Sequence, residues 1–162
     1  MGGEKKYSYR PVTPEDAAQI VEWRYPPPYT LYDLNPGAAP WLLSPDTNYY
    51  SVVDAAGELT GFFCLGRDAR VPGGDYSDKS ALDLGLGMRP DLTGQGRGLD
   101  FLNALLEFIQ QDWSPLRVRL TVATFNQRAV HLYKKAGFRP GRVFLRRSNN
   151  ESLEFMQMDL EL

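Results

Sequence analysis

The feature that most constrains this chain is a run of closely spaced glycines between an apolar and an amphipathic segment. Gly94, Gly96 and Gly98 follow the apolar residues 82–88 and precede a helix-like repeat of leucines. Because glycine carries no Cβ, the chain can turn tightly here and bring several backbone N–H groups against one anion. The start of the following helix adds unpaired N–H groups and a partial positive charge. The sequence therefore predicts a strand, a phosphate-binding turn and a helix.

Two common phosphate-binding motifs do not match this spacing. A P-loop needs Lys and then Ser or Thr after its last glycine, whereas Gly98 is followed by Leu99 and Asp100. A dinucleotide-binding fingerprint needs G-x-G-x-x-G in the first strand-to-helix turn. Here the glycines alternate with other residues, and the run lies past the middle of the chain. The pattern excludes a P-loop NTPase and disfavours a dinucleotide-binding fold.

The residues around the turn match a third pattern. Met88 and Pro90 precede the segment Thr93-Gly-Gln-Gly-Arg-Gly98. This stretch resembles the cofactor signature of the GNAT superfamily of N-acetyltransferases: a strand ending in V-x-P, then Arg or Gln, two residues, Gly, any residue, and Gly or Ala. Thr93 stands where the family has Arg or Gln, but the glycines are intact. The resemblance implies that backbone N–H groups bind the pyrophosphate of acetyl-CoA.

A second block resembles the same family at matching spacing. It has the form N-x-x-A-x-x-x-Y-x-x-x-G-F, with Asn126, Ala129, Tyr133, Gly137 and Phe138 at the defined positions. From the residues alone, Asn126 is a good N-cap and Gly137 a good residue to end the helix. The two blocks together imply these cofactor-binding residues: Leu86, Gly87, Met88, Thr93, Gly94, Gln95, Gly96, Arg97, Gly98, Asn126 and Tyr133.

The order of elements along the chain agrees with the GNAT fold. The resemblance implies an α+β (mixed α/β) fold with a central, mostly antiparallel, twisted sheet of six to seven strands, a splayed parallel pair and about four helices. A length of 162 residues suits one domain spanning residues 1–162. Residue patterns predict strands at 7–12, 49–54, 61–67, 82–88 and 117–123, and two more around 148–151. They predict helices after Thr13, at 98–112 and after Asn126. Core spacing in the helix at 98–112 selects Leu102, Leu105, Leu106, Ile109 and Trp113.

The family resemblance implies transfer of acetyl from acetyl-CoA to a primary amine by direct attack through a tetrahedral intermediate. The acceptor would be a small molecule, an amino acid or a protein N-terminus. The N–H at Met88 would stabilise the oxyanion, and Tyr133 would protonate the departing thiolate, since a phenol with a pKa near 10 is protonated at neutral pH. Helical position alone favours an ordinary core residue at Tyr133, and only the match of the whole block favours the acid role.

A general base is also needed, because an alkylammonium with a pKa near 10 is mostly protonated at neutral pH. Asp83 is the first candidate, since it lies in the central strand where related sequences often carry Glu. It also alternates with leucines, so it fits the polar face of an ordinary strand. Glu22 and His131 are weaker candidates.

Aromatic residues crowd the N-terminal half. The candidate acceptor-binding residues are Trp23, Tyr25, Tyr29 and Tyr32. Such rings can hold an apolar or cationic acceptor. Two alternatives stay open: a stiff, proline-rich loop whose rings cover the core, or a proline-rich ligand for another domain at Pro26–Pro28.

Composition limits the other functions. A net charge of −2 disfavours nucleic acid as a partner, and no apolar run is long enough to span a membrane. Cys64 is the only cysteine, the first residues carry no signal-peptide core, and no metal-ligand pattern occurs, so we expect a cytoplasmic protein without a metal. The terminal strands at 142–160 offer an edge for a homodimer.

Two alternatives to the acetyltransferase stay open. The first is a non-catalytic module on the same fold that binds and senses acyl-CoA. The second is an unrelated nucleotide-binding enzyme.

Overall fold

Seven strands and four α-helices make up the computed structural model, which describes residues 5–162. The expectation about a signal peptide therefore falls partly on residues outside the described ones. The elements are β1 (Tyr7–Pro11), α1 (Pro14–Ile20), α2 (Ala39–Leu43), β2 (Tyr49–Asp54), β3 (Leu59–Leu65), β4 (Ala81–Met88), α3 (Gly98–Asp112), β5 (Arg117–Ala123), α4 (Gln127–Lys135), β6 (Arg139–Ser148) and β7 (Glu151–Glu161).

Hydrogen bonds connect the strands in the order β1-β2-β3-β4-β5-β7-β6. The pairs β1–β2, β2–β3, β5–β7 and β6–β7 are antiparallel. The pair β4–β5 is parallel, and its pairing joins Ala81–Asp83 to Arg117–Arg119. The predicted fold class was a mostly antiparallel sheet of six to seven strands with a splayed parallel pair and about four helices. The observed seven strands, one parallel pair and four α-helices confirm it.

The chain forms two compact units. The first unit comprises the chain up to Cys64 together with Leu86–Phe101. One apolar cluster of this unit joins α1, α2 and β3 through five buried side chains: Ala17, Ile20, Val21, Leu42 and Leu59. Thr13 begins α1 with a capping box in which its side chain accepts from the Asp16 N–H while the Asp16 carboxylate accepts from the Thr13 N–H.

The second unit comprises Leu65–Gly85 and Leu102–Leu162. Four of the side chains that core spacing selects on α3 are buried as predicted: Leu102, Leu105, Leu106 and Ile109. Trp113 is 37% exposed, because α3 ends at Asp112 and the chain turns at Ser114, where φ is +48°. A smaller cluster of Ala123, Phe144 and Phe155 lies under β6 and β7.

Most predicted elements are confirmed, and the differences lie at their ends. The helix predicted after Thr13 ends at Ile20, and β3 begins two residues before its predicted start. The sequence patterns did not predict α2. No helix among residues 5–162 is long and apolar enough to cross a bilayer.

Candidate functional site

The end of β4 is held against β3 by close backbone approach. A Cβ on Gly61 would lie 2.5 Å from the carbonyl oxygen of Gly87 and from the ring of Phe101. A Cβ on Gly87 would lie 2.5 Å from the ring of Phe62. Real Cβ atoms do not make such contacts. Glycine is therefore required at position 61, where the clash includes backbone, and at position 87 unless the Phe62 ring moves.

The peptide group after Met88 is fixed at both ends. The N–H of Arg89 donates to the Thr60 carbonyl oxygen at 2.8 Å, and the Tyr25 hydroxyl donates to the Met88 carbonyl oxygen at 2.6 Å. Along an extended strand, the N–H and C=O of one residue face the same side, and those of the next residue face the other. Since Arg89 faces β3, the N–H and C=O of Met88 face the opposite edge of β4. The Tyr25 hydroxyl therefore lies beside the N–H that was predicted to bind the oxyanion.

The Arg89 side chain anchors the start of the glycine turn. Its guanidinium donates to the Leu59 carbonyl oxygen at 2.7 Å and to both oxygens of Asp91, at 2.6 and 3.2 Å. The bidentate contact with Asp91 fixes the short 3₁₀ turn Pro90–Leu92, which directly precedes the glycine turn in the sequence.

The glycine turn exposes a set of free donors. Gly94 and Gly96 have φ values of +71° and +75°, in the left-handed region that favours glycine. Within the described part of the chain, none of the backbone N–H groups of residues 94–100 donates a hydrogen bond. Residues 94–97 are exposed, and α3 begins at Gly98. The turn thus presents consecutive N–H groups and the positive end of a 15-residue helix to solvent, an arrangement that fits a pyrophosphate.

Two side chains in this turn bond to its own backbone. The Thr93 hydroxyl donates to the Pro90 carbonyl oxygen at 2.7 Å, and the Gln95 amide donates to the Asp91 carbonyl oxygen at 2.7 Å. Both side chains therefore shape the turn. The Thr93 N–H also donates to the Pro90 carbonyl oxygen, at 3.2 Å, so of these two residues only Gln95 offers a backbone N–H to an anion. Arg97 is exposed, so its guanidinium is accessible to a phosphate.

The four candidate acceptor residues lie in the first unit, in two groups. Tyr25 and Tyr32 meet edge to face, with ring centroids 6.4 Å apart. Trp23 packs against Phe62 with centroids 6.2 Å apart. Tyr29 begins the 3₁₀ turn that ends at Tyr32. The role of these rings in binding an acceptor stays a prediction.

Tyr25 is held at both its backbone and its hydroxyl. Its backbone N–H donates to Asp33 Oδ1 at 2.8 Å, in addition to the bond from its hydroxyl to Met88. Burial, followed by repulsion from the Asp33 carboxylate, raises the pKa of the Tyr25 phenol well above its ordinary value. The phenol therefore stays protonated and keeps donating throughout the neutral range.

Asp83 lies in a buried cluster of charges in the second unit. Only 2% of the side chain is exposed, and its oxygens accept from Arg119 at 2.6 and 3.0 Å and from Arg70 at 2.9 Å. Both arginines also lie over the Tyr76 ring, at 5.1 and 5.7 Å from its centroid. Guanidinium donors occupy both oxygens of the carboxylate, so these contacts favour a structural ion pair over the predicted role as a base.

The second motif forms the helix it predicts. Asn126 caps α4 by accepting from the Ala129 N–H at 3.2 Å, and Gly137 ends it with φ of +105°. Tyr133 is half-buried, with its ring 6.0 Å from that of Phe138. The cofactor and acid roles of this block stay predictions. The weaker base candidates Glu22 and His131 are both exposed.

Comparison with known proteins identifies the family. The model of the acetyltransferase (GNAT) family matches residues 15–138, more than half of the chain. The chain belongs to the GNAT acetyltransferase family.

Solved structures of this family share the fold across nearly the whole chain. A chimera of the Vibrio cholerae spermidine N-acetyltransferase SpeG and hSSAT has a TM-score of 0.73 at 18% identity, over 96% of this chain and 95% of that one. The V. cholerae spermidine N-acetyltransferase in complex with CoA and spermine has a TM-score of 0.67 at 18% identity, over 98% and 96% of the two chains. A GNAT-family acetyltransferase from Bacillus anthracis has a TM-score of 0.66 at 13% identity, over 96% and 95%. At these identities the likeness shows the fold.

Sequence reasoning missed two residues beside the predicted site of this GNAT protein. Arg89 directly follows Met88, the predicted oxyanion donor. Its charge, two positions before that of Asp91, could have indicated the ion pair that fixes the turn. Asp33 was visible as an acidic residue within an aromatic, proline-rich interval. The described residues include no cluster of three or more His, Cys, Asp or Glu side chains able to hold a metal ion.

Proposed function

We propose that this protein is an acetyl-CoA-dependent N-acetyltransferase that acetylates a primary amine. The single observation that carries the proposal is the run of backbone N–H groups at residues 94–100 that have no acceptor within the described part of the chain. These N–H groups bond to no other part of the described chain, so they do not stabilise the fold through internal hydrogen bonds. Consecutive N–H groups at the start of a helix can instead bind the oxygens of a pyrophosphate. Membership of the GNAT acetyltransferase family supplies the reaction type, which is acetyl transfer.

In this proposal, backbone N–H groups bind the cofactor and stabilise the charge that develops on the thioester oxygen. The turn at Gly94–Gly98 binds the pyrophosphate, and acetyl-CoA supplies the activated thioester. The Met88 N–H donates to the thioester oxygen, where the negative charge develops as the amine lone pair forms the new C–N bond. Loss of one such donor typically costs about 3 kcal/mol in the barrier.

Collapse of the tetrahedral intermediate breaks the C–S bond, and the electron pair leaves on sulfur. We assign to Tyr133 the proton that the thiolate takes up. The amine must lose a proton before or during its attack; this proton passes to solvent water, and the Tyr133 phenolate regains a proton from solvent, so the step balances. Asp83 is poorly suited to accept it, since both its oxygens bind arginines.

The acceptor approaches, in this proposal, from the side of Trp23, Tyr25, Tyr29 and Tyr32. Tyr25 supports this assignment because its hydroxyl contacts Met88, the residue expected to bind the thioester oxygen. Several structures of the same fold are spermidine N-acetyltransferases, and that precedent makes small aliphatic amines the first acceptors to test.

A thermal-shift scan followed by a turnover assay tests the proposal. We expect CoA and acetyl-CoA, but not ATP or NAD, to raise the melting temperature, since a ligand at about 100 times its Kd adds about 2.7 kcal/mol of stability. We expect a panel of primary amines to release the CoA thiol. Stabilisation without thiol release from any amine would indicate the acyl-CoA-binding module instead, and the absence of any CoA effect would reject both.

Tyr133→Phe tests the acid. It removes the hydroxyl and keeps the ring against Phe138, so the fold should be retained. We expect turnover at saturating acetyl-CoA to fall by about 10²-fold. Turnover near the wild-type rate would show that Tyr133 is a packing residue.

A further inference from the structure

We propose that Asp33 binds a second cationic group on the acceptor, so that the preferred substrates are amines carrying another positive charge, such as α,ω-diamines. This inference rests on the proposed function, because it concerns the acceptor of the same reaction. The supporting observation is that Tyr25 forms hydrogen bonds with both the Asp33 carboxylate and Met88, the last residue of β4.

Tyr25 connects the two places. Its backbone N–H donates to Asp33 Oδ1 at 2.8 Å, and its hydroxyl donates to the Met88 carbonyl oxygen at 2.6 Å. The carboxylate and the end of β4 are therefore separated by about the length of one tyrosine. All three residues lie in the first unit.

The reacting nitrogen and the charge at Asp33 must be different groups. The attacking amine has to be neutral and has to reach the carbonyl carbon bound at the Met88 N–H. A carboxylate in contact with that nitrogen would stabilise its protonated, unreactive form. A carboxylate one tyrosine away can instead hold a second ammonium while the first nitrogen attacks.

Asp33 has capacity for such a partner. It is half-buried, Oδ1 accepts from a neutral N–H, and among the described residues it forms no ion pair. Arg24, the nearest cation along the chain, donates through Nη1 to the carbonyl oxygens of Val21, Trp23 and Leu34. By contrast, the buried Asp16 is paired with Arg10. A cation bound at Asp33 would also lie near the rings of Tyr25 and Tyr32, whose faces attract positive charge.

The test compares 1,5-diaminopentane with 1-aminopentane, which differ by one ammonium. We measure kcat/KM by CoA thiol release, and binding of each amine to the protein by calorimetry, for wild type and Asp33→Asn. The substitution keeps Oδ1 as the acceptor for Tyr25 and removes only the charge. Asp46→Asn, an exposed carboxylate elsewhere in the same unit, is the matched control.

We expect the wild type to favour the diamine by about tenfold in kcat/KM and in binding, and Asp33→Asn to lose this preference while its rate with 1-aminopentane stays within about twofold. Equal rates with both amines in the wild type would overturn the inference. So would an equal loss for both amines in Asp33→Asn, which would indicate a role in loop structure alone. If 1-aminopentane reacts and the diamine gains nothing, the proposed function stands without this inference. If no amine releases thiol, the proposed function fails and this inference fails with it.

Discussion

The Tyr25 hydroxyl donates to the carbonyl oxygen of Met88 at 2.6 Å, across 63 positions in the sequence. This bond joins the aromatic, proline-rich segment to the last residue of β4. Because the Arg89 N–H binds Thr60 at the same peptide group, the end of the strand cannot rotate without breaking one of two hydrogen bonds. The proposed oxyanion donor is thus positioned by residues from two other parts of the chain.

Tyr25→Phe removes the bond to Met88 and retains the ring. We expect kcat to fall about 5- to 10-fold, since a neutral hydrogen bond contributes about 1 kcal/mol, with a smaller change in the Kd of CoA. Steady-state kinetics and calorimetry measure the two effects. Tyr7→Phe is the control, because the Tyr7 ring packs edge-on against Phe101 in the same unit. An equal fall in kcat in both variants would contradict a specific role for Tyr25.

Gly96→Ala tests the phosphate-binding turn. A Cβ at Gly96 meets no atom within 4 Å, so the change acts through backbone strain at φ of +75°. We expect the Kd of CoA to rise about tenfold, because an L-residue in this region costs about 1–2 kcal/mol and the turn shifts to relieve it. Titration calorimetry measures this Kd.

Gly57→Ala is the matched control for Gly96→Ala. Gly57 lies in the β2–β3 turn with φ of +82° and the same open space around its missing Cβ. It should lower stability by a similar amount and leave the Kd of CoA unchanged. If both variants weaken CoA binding equally, the turn at Gly96 has no special part in holding the ligand.

Asp83→Asn separates the two roles considered for this residue. If Asp83 is the structural partner of Arg119, the change leaves a buried guanidinium without its counter-charge and lowers the free energy of unfolding by about 3–5 kcal/mol. Urea denaturation measures this loss. Asp78→Asn, which removes an exposed partner of Arg117, should lower the free energy of unfolding far less than Asp83→Asn, because solvent screens this pair. A stable Asp83→Asn protein that loses only turnover and the acidic limb of its pH profile would restore the role as a base.

Asp16 makes stability depend on acid pH. Burial alone would raise the pKa of Asp16, but hydrogen bonds from Arg10 and Thr13 outweigh burial and hold that pKa below its ordinary value. A carboxyl with a lowered pKa contributes its full stabilisation above its unfolded pKa, about 3.9, and loses it as the pH falls through the folded value.

We therefore expect unfolding free energy, measured by urea denaturation, to fall more steeply below about pH 4 in the wild type than in Asp16→Asn. Between pH 5 and 8 the difference between the two proteins should be constant. The exposed Asp46→Asn should follow the wild-type curve throughout. Parallel curves for wild type and Asp16→Asn in acid would show that the Asp16 pKa is not lowered on folding.

Local features of this protein followed from its sequence because they depend on neighbouring residues. Thr13, Pro14 and Asp16 specify a helix start through one capping box, and Asn126 and Gly137 specify both ends of α4. The bounds predicted for α3 and β5 match the observed Gly98–Asp112 and Arg117–Ala123. The glycine spacing likewise indicated the turn, since positive φ at Gly94 and Gly96 is a property of single residues.

Tertiary structure decided which of the polar and aromatic candidates meet each other. Alternation placed Asp83 on one face of a strand, but its burial between Arg119 and Arg70 depends on chain segments 36 and 13 residues away. Tyr25 was one of several rings in a crowded interval, and only its contact with Met88 distinguishes it. Sequence periodicity carries local backbone preference, whereas ion pairs and hydrogen bonds between distant segments depend on how those segments pack.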